Sequence, residues 1–211
     1  ATATVLQNYS ADHGIGNPAS AVVDPLDGSK VTLTFSQEFQ PDIQYSISIS
    51  GIRDLAGNTM AASEHSFAQH VVHQFDVLIN EIMADPNPTV YLPDWEYLEL
   101  YNRSAYPINI SNWTIQVGST AKTIPDFTLQ PQSYVILADA DAAADLGAYG
   151  NFLGFSSMSI TNTGGTIALY NETGVLIHMV SYSDDWYGSD YKKDGGWSLE
   201  MIDPMNPCGE A

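Results

Sequence analysis

Trp95-Glu96-Tyr97-Leu98-Glu99-Leu100-Tyr101-Asn102 places Leu98 and Leu100 at one parity and Tyr97, Glu99 and Tyr101 at the other. Successive side chains of an extended chain point to opposite sides, so this stretch reads as a β-strand with its leucines turned inward. Two further strand-like phrases accompany it: Leu78-Ile79-Asn80-Glu81-Ile82 upstream, and Gly196-Trp197-Ser198-Leu199-Glu200 near the end. Each of the three carries a glutamate: Glu81, Glu99 and Glu200.

Working outward, the same period-two pattern recurs. Val31-Thr32-Leu33-Thr34-Phe35 and Tyr45-Ser46-Ile47-Ser48-Ile49-Ser50 alternate apolar and polar, bounded by Asp27-Gly28-Ser29, Gln40-Pro41-Asp42 and Gly51. Such alternation buries one face and wets the other, as in antiparallel sheets. Asp54-Leu55-Ala56-Gly57-Asn58 reads as a turn, because Asp and Asn bond their own backbone and Gly and Asn tolerate left-handed geometry. Further strands are expected at 108–110, 113–117, 134–137 and 197–201. A hairpin is expected from 166–170 and 175–182 around Asn171-Glu172-Thr173-Gly174. Residues 84–88 hold two prolines and read as a loop. Ala-rich residues 141–149, with Asp at the start, predict one short helix. Residues 68–75 contain no Pro- or Ser-rich spacer and predict a strand that runs from one sandwich into the next. The expected fold class is all-β: two consecutive β-sandwiches, residues 1–72 and 73–211.

The first segment, on residues 31–35, 45–51 and Ile52-Arg53-Asp54-Leu55-Ala56-Gly57-Asn58-Thr59-Met60, resembles part of a bacterial Ig-like domain of the surface-layer type. That family places one or two more strands before Ala1, which implies an incomplete domain within a longer polypeptide. The second segment resembles the lamin tail domain in its bacterial secreted form. The resemblance rests on Ile79 to Glu81, Glu99 to Asn102, Asn112-Trp113, Leu129 to Pro131, Gly164-Gly165 and Ser198 to Glu200, in that order. It covers residues 76–208 and implies an Ig-like sandwich that serves attachment or recognition outside a bacterial cell. The family continues past Pro207-Cys208 into another Trp-bearing segment, so closure of the sandwich is an open point.

Of 211 residues, 44% are hydrophobic, enough for a packed core and against disorder. The formal charge is −19, divided as −5 over residues 1–73 and −14 over 74–211. Such a field repels phosphate backbones and anionic membrane surfaces, so no nucleic acid is expected as partner, while cations and neutral glycans are compatible. It equally serves plain solubility. The one cysteine, Cys208, has no internal partner for a disulfide. No apolar run reaches membrane-spanning length, so no membrane insertion within this chain is expected.

Glu81, Glu99 and Glu200 form a two-carboxylate hydrolase if pairing brings two of them about 5–9 Å apart; otherwise they accept backbone hydrogen bonds at strand ends. Asp139, Asp141 and Asp145 have partial calcium spacing, but Ala143 and Ala144 stand where an EF-hand loop needs other residues. Residues 184–194 are denser in acids. Asp184, Asp185, Asp190 and Asp194 are candidate calcium ligands, or a solvated loop partly neutralised by Lys192 and Lys193. No cofactor is expected other than a calcium ion that these acids could hold. His70 and His73 face opposite sides if the stretch is a strand, and no HExxH occurs, so zinc is not expected. Gly-x-Ser-x-Gly and phosphate loops are absent. Trp186, Tyr187 and Tyr191 crowd one polar loop, with Trp197 close behind. Either they form a contact surface for a sugar ring or a protein, or Trp186 caps the core; Trp197 is expected to pack inside.

The reading is a non-catalytic module of a secreted or cell-surface bacterial protein (extracellular, cell surface or periplasmic), presenting, adhering or binding a protein or glycan. The alternative is an accessory or catalytic part of an extracellular metal-dependent hydrolase that uses the acidic loop 184–194 with Glu99 or Glu200. A nuclear scaffold of the animal lamin kind lacks a heptad rod and a basic run here.

Overall fold

The computed structural model describes residues 2–207; Cys208 lies outside them. Contacts divide the chain into two compact units at Val71/Val72.

The first unit holds β1 (Tyr9–Ala11), β2 (Ser20–Val23), β3 (Val31–Thr34), β4 (Gln44–Ile49) and β5 (Ser63–Ala68). Strands β1-β4-β5 form an antiparallel sheet and β2-β3 a hairpin. The core is small: Tyr9, Ala11, Ala21 and Tyr45 are buried. Phe39 packs edge-on against Phe35, Tyr45 and Phe67 at 5.2, 4.9 and 5.0 Å between ring centroids. The 54–58 turn closes as its residue types require: the Asp54 carboxylate accepts from the Asn58 N–H at 2.8 Å and from its amide at 2.7 Å.

Residues 69–76 form no strand, contrary to the expectation of a continuous one. Val72 packs partly buried against the core of the second unit, yet the stretch joins no sheet. Phe75, at φ 72°, takes a left-handed turn that is incompatible with extended geometry just before the next strand.

The second unit is built from β6 (Val77–Met83), β7 (Tyr97–Asn102), β8 (Ile108–Asn109), β9 (Thr114–Val117), β10 (Thr120–Thr123), β11 (Thr128–Leu129), β12 (Tyr134–Asp139), β13 (Asn151–Phe155), β14 (Gly164–Tyr170), β15 (Leu176–Ser183) and β16 (Leu199–Glu200). A five-stranded sheet, β13-β12-β7-β6-β16, faces a four-stranded one, β10-β9-β14-β15, with β11-β8 as a short separate pair. Between the sheets lie Leu98, Leu100, Ile110, Trp113, Ile115, Leu137, Ile167, Leu169 and Ile177, all fully buried. Removing apolar area from water at roughly 25 cal/mol per Å² makes this layer the main source of the unit's stability.

Strand β6 is buried on both faces, because a second apolar cluster covers the outside of the large sheet. Met83, Tyr97, Ile136 and Ala138 pack there under Ala142 and Leu146. Those two come from a 3-10 turn at Ala140–Ala142 and a one-turn helix α1 (Ala143–Leu146), shorter than the 141–149 helix expected. Asp139 starts the turn by accepting from the Asp141 N–H at 3.0 Å, and Asp145 accepts from the Trp95 indole at 2.8 Å. The crossover also makes β12-β13 parallel in an otherwise antiparallel sheet. Asn112 adopts φ 63°, a conformation asparagine tolerates, and this turns the chain so that Trp113 enters the core.

Candidate functional site

Strand pairing puts Glu81 opposite Glu99 and Glu200 opposite Glu81, so the three glutamates form one row across β16, β6 and β7. Directly opposed like charges repel. Burial raises the Glu99 carboxyl above its usual range, and Glu81 and Glu200 add to the effect. Their partners are side chains, not the strand-end backbone groups expected. The Tyr97 hydroxyl donates to Glu81 at 2.7 Å, and the Asn80 amide donates to Glu99 at 3.0 Å. Burial and the hydrogen bond to Glu81 together hold the Tyr97 phenol well above its ordinary value. Asn80 reaches Glu99 because the β6-β7 register shifts between Ile79 and Glu81.

Glu99→Gln removes one charge from the row and keeps an oxygen for the Asn80 amide. It is expected to raise stability at pH 7 by about 0.5–1 kcal/mol, the scale of a cross-strand charge pair. Urea denaturation checks it, and a loss of stability would mean that the carboxylate holds something in place.

The loop after β15 is ordered by short helical turns. The Ser183 hydroxyl accepts from the Asp185 N–H at 3.2 Å and starts a 3-10 turn at Asp184–Tyr187. Ser189 likewise caps the one-turn helix α2 (Asp190–Lys193). The Lys193 ammonium bonds Asp185 and lies 4.0 Å from Asp184. That lysine holds the Asp185 carboxyl below its usual range. Asp190 sits in the first turn of α2 and Asp194 at its end. Among the described residues, no three carboxylates of this loop bring oxygens within 4.8 Å of one another. Of the two glutamates in the hydrolase alternative, Glu99 accepts from Asn80 on the sheet and Glu200 lines a cleft with Trp186, Tyr187 and Lys192 of the loop.

The aromatics separate into two groups. Trp186 and Tyr191 are 58% and 68% exposed, so Trp186 does not cap the core. Tyr187 is half-buried and donates its hydroxyl to the Trp197 carbonyl at 2.8 Å, which ties the two ends of the loop together. Trp197 is only partly buried and lies before β16, not within a 197–201 strand. Tyr191 meets it edge-on at 6.3 Å and the Lys192 ammonium sits 5.0 Å above its ring. Gly195 and Gly196 pass so close to the 87–88 backbone that a Cβ there would lie 2.1 and 2.3 Å from carbonyl oxygens of Asn87 and Pro88. Only glycine allows this approach, at φ 116° and 78°.

A cleft of about 700 Å³ runs beside this loop, lined by Trp186, Tyr187, Lys192, Trp197 and residues of β6, β15 and β16. His178 closes its floor: the neutral imidazole Nδ1 accepts from the Ile79 N–H at 3.0 Å. Burial lowers the His178 pKa to about 4. Sequence reasoning did not single out His178 or Asn80. The available signal was parity, since His178 shares its side of β15 with the partly buried Val180 and buried Tyr182.

Comparison with known proteins finds two likenesses. An S-layer protein of Geobacillus stearothermophilus is 24% identical over 208 residues, covering 89% of this chain, so the match reaches into both units. The chain spans only 16% of that protein's length. The family model for the lamin tail domain matches residues 73–184, more than half of the 211. With a two-sheet sandwich over the same residues, the chain belongs to the lamin tail domain family.

Proposed function

We propose that the chain is a non-catalytic module of a secreted or cell-surface bacterial protein, which spaces other parts of that protein and contacts a protein or glycan through the 184–197 loop. The observation that carries the contact is the exposure of Trp186 and Tyr191 on a loop that serine caps, a lysine bridge and two close-packed glycines hold in shape. Large aromatic side chains presented on an ordered scaffold supply contact area with little ordering cost. The likeness to an S-layer protein supports a place at the cell surface. The acidic charge of −19 disfavours nucleic acid as partner.

Adhesion is tested by comparing binding of the chain and of Trp186→Ala to bacterial cell-wall preparations. The variant is expected to lose at least about tenfold in affinity, the effect of removing a central aromatic anchor, with unchanged circular dichroism. Equal binding by both would remove the loop from the reading.

For the acids, calcium is expected to leave the melting temperature unchanged, because Lys193 already occupies Asp184 and Asp185. A rise of several degrees reversed by EDTA would instead show an ion bound to the folded state and favour the metal-dependent hydrolase.

A further inference from the structure

Strand β15 ends one sheet of the second unit and the two-residue β16 ends the other, and the cleft opens beside them. Three observations on this opening are independent of one another.

Among the described residues, the outer edge of β15 carries backbone groups that no strand pairs. The Gly118 N–H donates to the Thr166 carbonyl at 2.9 Å, which turns Thr166 toward β9. By antiparallel alternation Gly165, Ile167 and Leu169 then bond Tyr182, Val180 and His178. The backbone groups of Met179 and Ser181 therefore face away from β14, where no strand pairs among the described residues. Among the described residues, the start of this edge is used by the Phe75 N–H, which donates to the Ile177 carbonyl at 2.9 Å.

Two residues that line the cleft hold buried polar atoms without a partner: Asn80 Oδ1, on a side chain 4% exposed, and Trp197 Nε1. One is an acceptor and the other a donor, and buried groups of either kind are rarely left unpaired. The rim is apolar in a strongly acidic chain, with Met179, Trp186 and Ile202 at 52%, 58% and 87% exposure.

We infer that the cleft and the free edge of β15 receive an extended segment of another polypeptide by strand addition, with alternate apolar side chains directed into the cleft and basic residues between them. The inference rests on the module reading above and names the class of its partner. Strand addition uses the row of N–H and C=O groups on β15, and alternate side chains fill the cleft wall. Basic residues follow from Glu200 and Asp203, which line the opening, where the lining Lys192 lies over Trp197, and from the strongly acidic chain around it. A second copy of the chain would bring −19 against −19. A sugar ring would stack on Trp186 without engaging the β15 edge.

The test titrates tryptophan fluorescence of the whole chain with a short synthetic peptide alternating lysine and valine. A glutamate–valine counterpart, a neutral oligosaccharide and sedimentation of the chain alone are run beside it. Saturable quenching by the lysine peptide is expected, at least about tenfold weaker with the glutamate peptide. Amide exchange at Met179 and Ser181 should slow on binding. Met179→Pro removes an edge N–H and should weaken binding about tenfold, the scale of lost edge bonds. A lysine peptide N-methylated at alternate amides tests the same bonds with the protein unaltered. Unchanged affinity for the N-methylated peptide, binding of the oligosaccharide alone, self-association alone, or no quenching by any probe would overturn strand addition. Loss of cell-wall binding in Trp186→Ala with no peptide effect would leave the module reading intact and remove only this inference.

Discussion

Asn102→Ala is expected to lower the unfolding free energy of the second unit by about 3–4 kcal/mol, because it strands several buried polar groups at once. Asn102 is fully buried at the end of β7. Its amide donates to the Tyr106 carbonyl at 2.8 Å and the Leu129 carbonyl at 3.0 Å. Its side-chain oxygen accepts from the Ser104 N–H at 2.9 Å and the Ser104 hydroxyl at 2.8 Å. One side chain thus closes the 102–106 turn and ties it to β11. All four tryptophans, Trp95, Trp113, Trp186 and Trp197, lie in the second unit, so urea unfolding followed by tryptophan fluorescence reports that unit alone. Asn102→Asp keeps the acceptors but points a carboxylate at two carbonyls. It should lose a comparable amount at pH 7 and recover part of it in acid, where the group can donate again. A loss below about 1 kcal/mol in both variants would show that the loop finds other partners.

The second expectation is acid destabilisation through His178. Its pKa is lowered to about 4 by burial, against about 6.5 when unfolded. The folded state therefore binds fewer protons than the unfolded state between these values. The stability contribution is complete above pH 6.5 and falls away as pH drops through 6.5 toward 4, by about 3 kcal/mol in all. The structural event is loss of the Nδ1 acceptor for the Ile79 N–H. Glu96 and Glu99 work in the opposite direction. Burial holds both above the usual carboxyl range, so acidification relieves them. His178→Asn keeps an acceptor near the Nδ1 position and does not titrate. Subtracting its pH–stability profile from that of the natural chain isolates the histidine. The difference should grow from pH 7 to pH 4, and a flat difference would mean that the imidazole is protonated in place without loss.

Alternation at 97–101 made the strand, its inward leucines and its outward tyrosines readable, since period two is a local property of an extended chain. The hairpin around Asn171 was equally local: the Asn171 side chain accepts from Thr173 and Val175 within its own turn. Strands such as β5, β10 and β13 were not legible. Ser63–Ala68, Thr120–Thr123 and Asn151–Phe155 lack clean alternation and become strands by pairing, β5 and β13 with strands well upstream and β10 with β9 across a two-residue turn. The 69–76 stretch shows the converse, where strand-like composition forms no strand.

Of the candidate site, the sequence located the loop, because Asp, Ser and Gly interleaved with Trp and Tyr mark an exposed and ordered turn. It did not separate Trp186 and Tyr191, which are exposed, from Tyr187 and Trp197, which brace the loop. That division depends on the Gly195-Gly196 return against residues 87–88 and on a hydrogen bond from Tyr187 across ten positions.

The amino-acid sequence by itself determined the all-β class, the family of the second unit and the acidic surface, because residue type, period and charge are properties of the chain before it folds. Tertiary structure decided which charges meet and which edges stay open. Glu81, Glu99 and Glu200 become neighbours only through strand register, and β15 becomes an edge only through sheet order. Register and sheet order are set by packing between residues far apart in the chain, and no local pattern encodes them.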